Sequence, residues 1–144
     1  MDAAIRTMEA MGAELQFRRR NDATELESAT FQWGNITVTL EHPLSDRGPF
    51  AEFLRRHGEG IHHIGMDVEN IEQTIEHLNE QEMRTVNHQL AGDVRHEVLL
   101  HPKSGLGVLW QLMDWQGEYR DNIPARLDAA REGKVEIPGA TRPL

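Results

Sequence analysis

Apolar and polar positions alternate along the chain in short segments with helical or strand-like periods. Ile5, Met8 and Met11 have helical spacing and precede Gly12, which predicts a short N-terminal helix. Strand-like segments follow at residues 15–19, 26–33 and 36–41, and a Gly-Asn pair at 34–35 is typical of the tight turn between the last two.

The second half of the chain repeats this order. Asn70 can cap a helix with Gln73 at its third position, and Ile71, Ile75 and Leu78 then share one face. Before this helix we predict a helical connector and a strand at 61–68. After it we predict strands at about 83–89, 94–101 and 108–113.

The repeat predicts an α+β fold with two βαβββ modules, at about 1–43 and 59–114, that form a cupped mixed sheet in one domain, 1–114. Residues 115–144 are a C-terminal extension with a helical pattern at 124–132. The first module lacks its initial strand. That strand precedes Met1 in the gene, has been lost, or is replaced by another segment such as 134–139, and an open sheet edge needs cover.

Strand alternation at 61–68 directs His62 and His63 to opposite faces. The apolar neighbours of His62 predict that it lies under a helix. His63 is then on the open face beside Gly65, which leaves room for a ligand. Gln111 interrupts an otherwise apolar strand, and Thr37, Thr39 and Glu41 alternate with apolar residues. A polar concave sheet face is therefore expected.

Composition narrows the possible functions. The formal net charge is −9, which disfavours nucleic acid and anionic membranes as partners, and there is no cysteine to form a disulfide or a thiolate metal site. No apolar run approaches the roughly 20 residues that span a bilayer. The N-terminus lacks the layout of a secretory signal, so we expect a cytoplasmic protein.

The segment FLRRHGEGIHHIGMDVENIEQTIEHL, followed later by HPKSGLGVLWQL, resembles the vicinal oxygen chelate superfamily and its methylmalonyl-CoA epimerase-like branch. The resemblance implies two βαβββ modules around a divalent metal. It also implies enzymes that isomerise, cleave or oxygenate substrates with neighbouring oxygen atoms.

By this resemblance, the metal histidine of the second module is His63, and Gln111 stands where the family has a glutamate ligand. Thr39 stands at the ligand position of the first module, with Glu41 as a substitute on the same face. The implied metal is divalent (Co, Mn, Mg, Ni or Zn), and a metal-free protein is the alternative because a neutral amide is a weaker ligand than a carboxylate.

The resemblance implies catalytic roles for Gln111 and for Glu27, with Glu25 as the alternative to Glu27. Both glutamates also fit a solvated strand face. Substrate contacts are expected from Thr39, from Trp33, which also fits a packing role, and from Lys103 at a phosphate-bearing group.

Three functions remain open. The first is an isomerase, epimerase or lyase acting on a CoA thioester or another vicinal-oxygen compound. The second is a metal-free binding module or subunit with the same fold. The third is an extradiol dioxygenase-like protein, which needs two histidines and one carboxylate around iron. A homodimer is expected in either of the first two cases because of the open edge.

Overall fold

The computed structural model describes residues 1–91 and 93–135, except for the side chains of residues 90 and 91. The described chain divides into two compact units. The first is Met1–Glu59 and the second begins at Gly60. Each unit is described by itself below.

The first unit is a three-stranded antiparallel sheet with a helix before it and a helix after it. Helix α1 spans Asp2–Ala10, and strands β1, β2 and β3 span Glu14–Asn21, Leu26–Trp33 and Ile36–Pro43. Helix α2 spans Pro49–His57. The core is the contact of α1 with the sheet, where these apolar residues are buried: Ile5, Met8, Ala13, Ala29 and Phe31.

The second unit is a complete βαβββ module followed by a C-terminal helix. Its elements are β4 (Ile64–Asp67), α3 (Ile71–Glu80), β5 (Thr85–Ala91), β6 (Arg95–Leu100), β7 (Trp110–Trp115), a short 3-10 turn at Gly117–Tyr119 and α4 (Ile123–Arg131). The strand order is β4-β7-β6-β5, with β4 parallel to β7 and the other pairs antiparallel.

Helix α3 covers one face of the second sheet. The side chain of Asn70 accepts a hydrogen bond from the backbone N–H of Gln73 at 2.8 Å, as the predicted cap requires. The Asp114 carboxylate on β7 is buried and accepts from the N–H of Ile71 at the start of α3. A carboxylate at a helix N-terminus satisfies a free donor and suits the helix dipole.

Helix α4 packs on the opposite face of the same sheet. Ala129 joins Val94 and Trp115 in a small core, and the Arg126 guanidinium lies 4.7 Å from the centre of the Trp115 ring. This guanidinium also forms an ion pair with Asp67 of β4 at 2.7 Å. The C-terminal extension is therefore attached to the sheet beyond the last strand of the module.

The α+β fold class and its predicted elements are confirmed, with one clear shift. The predicted strand at 61–68 begins only at Ile64 and ends at Asp67. The predicted edge cover at 134–139 lies mostly outside the described residues. Within the described part of the chain, no helix has the length and apolar character needed to cross a bilayer.

Candidate functional site

Polar side chains collect on the face of the second sheet opposite α3. The register pairs Gly65 with Gln111, and Glu97 with Met113, so alternation places these side chains on one face. Gln111 Nε2 donates to Glu97 Oε2 at 2.9 Å, and Arg95 Nη2 forms an ion pair with the same oxygen at 2.5 Å. The three side chains therefore form a continuous polar array across two strands.

His63 extends this array through a hydrogen bond with Gln111. Because the amide nitrogen of Gln111 points to Glu97, its amide oxygen is the atom that faces His63. Burial lowers the pKa of His63, and the positive charge of Arg95 lowers it further, whereas the hydrogen bond with Gln111 acts in the opposite direction. The His63 imidazole is therefore neutral at pH 7.

The prediction that His62 and His63 face opposite ways is wrong. Their Nδ1 atoms lie 3.0 Å apart, and the rings meet edge to face at 89°. Both residues precede β4 in an irregular segment where the two-residue alternation of a strand does not apply. Burial lowers the pKa of His62 to about 4, and the neighbouring ring of His63 contributes. This pair adds two neutral imidazoles to one end of the array.

Arg95 is the charged group at the other end of the array. Its guanidinium lies 5.2 Å from the centre of the Trp115 ring, and its side chain is only 11% exposed. Its Nε atom is buried without a hydrogen-bond partner among the described residues. Glu97, whose side chain is 9% exposed, supplies the compensating carboxylate.

This donor set does not fit a divalent cation by itself. The second unit offers the imidazoles of His62 and His63, which already bond to each other, and one amide oxygen from Gln111, while the nearby Glu97 carboxylate is paired with Arg95. Within the described residues, no group of three or more His, Cys, Asp or Glu side chains is placed to hold a metal ion. A hard divalent ion prefers anionic oxygen ligands. The predicted metal set of His63, Gln111 and Glu41 is divided between the two units and stays a prediction.

In the first unit, Thr39 and Glu41 share a sheet face, as predicted. Thr39 Oγ1 lies 3.2 Å from Thr30 Oγ1, and Ser28 Oγ donates to Glu41 Oε2 at 2.6 Å. Burial raises the pKa of Glu41 to about 7, although the bond from Ser28 acts in the opposite direction. Glu41 is thus a carboxyl group that can carry a proton near neutral pH.

Glu27 and Trp33 lie on the other face of that sheet. The register pairs Glu27 with His42, and alternation aligns it with Ala29 and Phe31, which pack against α1. Arg18 forms an ion pair with Glu27 at 2.7 Å. Glu27 is therefore on the opposite face from Thr39 and Glu41, and its catalytic role stays a prediction.

Two further predicted residues lie at the surface. Trp33 is 38% exposed at the end of β2. Lys103 is exposed in the turn between β6 and β7. The pKa of His101 is lowered first by desolvation of its ring and then by the positive charges of Arg84 and Lys103. Glu25, the alternative base, is held by Arg47 at 2.7 Å, and this contact lowers the pKa of Glu25.

The sequence analysis missed Arg95 and Glu97. A signal was present, because the segment RHEVLL places its two most strongly charged side chains two residues apart on one strand face. Their burial was not visible in the sequence, since it depends on Trp115 of β7 and on Val135, whose carbonyl accepts from Arg95 at 3.2 Å.

The family model described as Glyoxalase/Bleomycin resistance protein/Dioxygenase superfamily matches residues 1–98, more than half of the chain. The chain belongs to this superfamily. The predicted resemblance to the vicinal oxygen chelate superfamily, which is the same group, is therefore confirmed.

Individual members of the superfamily are also similar to this chain. A mitochondrial methylmalonyl-CoA epimerase of Dictyostelium discoideum is 33% identical over 54% of this chain and 49% of its own length. An ethylmalonyl-CoA/methylmalonyl-CoA epimerase of Cereibacter sphaeroides is 33% identical over 54% of this chain and 61% of its own length. This chain spans about half the length of the first of these curated relatives.

A solved structure of the superfamily has the same fold. It is a variant of the Streptomyces coelicolor methylmalonyl-CoA epimerase in complex with 2-nitronate-propionyl-CoA. Its TM-score is 0.67 at 21% identity, and the alignment covers 81% of this chain and 90% of that one. At this identity the likeness concerns the fold alone.

Proposed function

We propose that this chain is an isomerase of the epimerase type that acts on the carbon next to a CoA thioester. The reaction removes the proton on that carbon and returns a proton to it. The observation that carries the proposal is the buried polar array of His63, Gln111, Glu97 and Arg95 on one sheet face. Convergent polar groups with perturbed pKa values are typical of functional sites.

The names of the relatives support the substrate class. The curated relatives are epimerases of methylmalonyl-CoA or ethylmalonyl-CoA, and the Streptomyces structure holds a CoA thioester. In this chain the exposed Lys103 and its neighbour Arg84 supply positive charge for a phosphate group of CoA. The roles of Thr39, Trp33 and Glu27, which belong to the first unit, stay predictions of the sequence analysis.

The residues of the array supply the steps that do not need a metal. Removal of the proton creates negative charge on the thioester oxygen, and donors placed before the reaction stabilise that charge. Burial lowers the pKa values of His62 and His63, so the imidazoles beside Gln111 are uncharged polar groups and not cations. Gln111 cannot act as a base, because an amide does not accept a proton at neutral pH.

The experiment is isotope exchange in D2O. Methylmalonyl-CoA is incubated with the protein, and mass spectrometry follows deuterium incorporation at the carbon between the thioester and the carboxylate. Samples treated with EDTA are compared with samples given Co²⁺, Mn²⁺, Mg²⁺, Ni²⁺ or Zn²⁺. Exchange above the rate without protein is expected, and the metal comparison tests the predicted cofactor. No exchange in any sample contradicts the proposed function.

A second candidate, a metal-free binding module, is favoured by the amide at position 111 and by the neutralised Glu97. It predicts that CoA thioesters bind without exchange. Isothermal titration with 2-nitronate-propionyl-CoA separates the two, because binding together with absent exchange supports the module. The cytoplasmic location and the homodimer remain predictions of the sequence analysis.

A further inference from the structure

The second unit contains a buried carboxylate that none of the predicted roles uses. Glu97 lies on β6, on the same sheet face as Gln111, and its side chain is 9% exposed. Burial of a charged group is costly unless the group is paired and hydrogen-bonded. Arg95 and Gln111 meet that requirement, so the fold holds a carboxylate at the centre of the polar array.

The two oxygen atoms of Glu97 have different surroundings. Arg95 and Gln111 both contact Oε2, at 2.5 Å and 2.9 Å. No described residue bonds to Oε1. Among the described side chains, the one fully buried polar atom without a hydrogen-bond partner is Arg95 Nε, so Oε1 is not such an atom. One oxygen is therefore held by two side chains, and no described residue holds the other.

Glu97 lies close to the position where the epimerase resemblance implies a carboxylate that this chain lacks. The epimerase resemblance implies a glutamate on the last strand, but this chain has Gln111 there. The carboxylate of Glu97 is one hydrogen bond away, on the adjacent strand and the same face. Gln111 anchors this carboxylate, so the amide at 111 and the acid at 97 form one unit.

We infer that Glu97 is the general base of this site, acting from β6 in place of the last-strand carboxylate that Gln111 lacks. The inference rests on the proposed function. The carbon–hydrogen bond next to the thioester breaks, and the proton bonds to Glu97 Oε1. The electron pair of that bond moves into the thioester carbonyl and forms an enolate. The enolate carbon is planar, so when the enolate turns over in the site, a proton returns from Oε1 to its other face. This step gives the epimer and restores the thioester and the carboxylate.

The test is the deuterium exchange assay applied to substitutions at position 97. Glu97→Gln preserves size and removes the base, so the exchange rate should fall by about 100-fold or more. Glu97→Asp keeps the charge opposite Arg95, which protects the fold, but withdraws the oxygen by one methylene. We expect a loss of about tenfold from this displacement. Glu76→Gln, exposed on α3, is the control and should match the parent chain.

A double substitution adds an independent readout. Glu97→Gln with Gln111→Glu exchanges the acid and the amide and keeps a hydrogen bond between them. Its exchange rate should be at least about tenfold higher than that of Glu97→Gln, because a carboxylate returns to the array. If folded Glu97→Gln or Glu97→Asp exchanges deuterium at the parent rate, the role of Glu97 is wrong and the proposed function still stands. An inactive parent chain overturns the proposed function and this inference with it.

Discussion

At the scale of single residues, Glu41 shows how burial changes chemistry. Its carboxyl group accepts a hydrogen bond from Ser28, but burial still raises its pKa to about 7. In the unfolded chain its pKa is near 4.5, the ordinary value of a glutamate side chain. Below pH 4.5 both states are protonated and folding has no charge cost. As the pH rises from 4.5 to 7, the unfolded state loses its proton first, and the folded state is destabilised.

We therefore predict that Glu41→Gln increases stability at high pH. Relative to the parent chain, the free energy of unfolding of the variant should rise by about 2 kcal/mol between pH 5 and pH 8. Urea unfolding at both pH values measures this difference. Glu76→Gln, exposed on α3, is the control and should show no such trend. Parallel pH profiles for Glu41→Gln and the parent would contradict the assignment.

A second residue-scale prediction concerns Gly105 in the turn before β7. A Cβ atom at this position would lie 2.6 Å from the Val108 carbonyl oxygen and 2.7 Å from Trp110 Cδ1. Because one of these atoms belongs to the backbone, Gly105→Ala should lower the unfolding free energy by about 2 kcal/mol. Gly60→Ala is the matched control, since nothing lies within 4 Å of its Cβ. Equal urea midpoints for the two variants would refute the prediction.

At the scale of elements, α4 is attached mainly through one side chain. Arg126 pairs with Asp67, lies over Trp115 and donates to the Tyr119 carbonyl at 2.6 Å. Its side chain is only 17% exposed, so these contacts are weakly screened by solvent. The rest of the helix contributes little apolar area beyond Ala129.

Arg126→Met should therefore loosen α4 from the sheet. We expect a loss of about 2 kcal/mol in the free energy of unfolding, because the variant removes the charged hydrogen bond to the part-buried Tyr119 carbonyl and the contact of the guanidinium with the Trp115 ring. Tryptophan fluorescence during urea unfolding reports on this contact through Trp115. Arg131→Met, which removes an exposed pair with Asp128 on the same helix, should cost less than about 0.5 kcal/mol. Similar losses in both variants would argue against a specific role of Arg126.

At the scale of the whole molecule, the outer edge of β3 in the first sheet affects whether two chains associate. Among the described residues, β3 pairs only with β2, so its outer edge has free backbone donors and acceptors. Proteins cover or protect such edges to avoid uncontrolled pairing. The net charge of −9 disfavours random association and is compatible with a defined one.

We predict a homodimer that covers this edge. Light scattering after size exclusion should give about twice the chain mass of 16.4 kDa at micromolar concentration. A mass of one chain for the parent across the concentration range would contradict the prediction.

The local elements could be predicted from the sequence because their signals are local. Helical spacing at Ile5 and Met8, the Asn70 cap and the alternation in β3 each lie within a few residues, and the structure has an element at each place. The prediction for His62 and His63 was wrong because it applied strand alternation to residues that precede the part of β4 paired with β7. Register decides where a strand starts, and register depends on the neighbouring strand.

The sequence by itself determined the repeated α+β pattern and the superfamily, and it named His63 and Gln111 as candidate site residues. Only the tertiary structure decided that Glu97 and Arg95 join them, and that Glu27 lies on the other face of its sheet from Glu41. The physical reason is separation along the chain. Glu97 and Gln111 are 14 residues apart, and their contact exists only because β6 and β7 pair in one register.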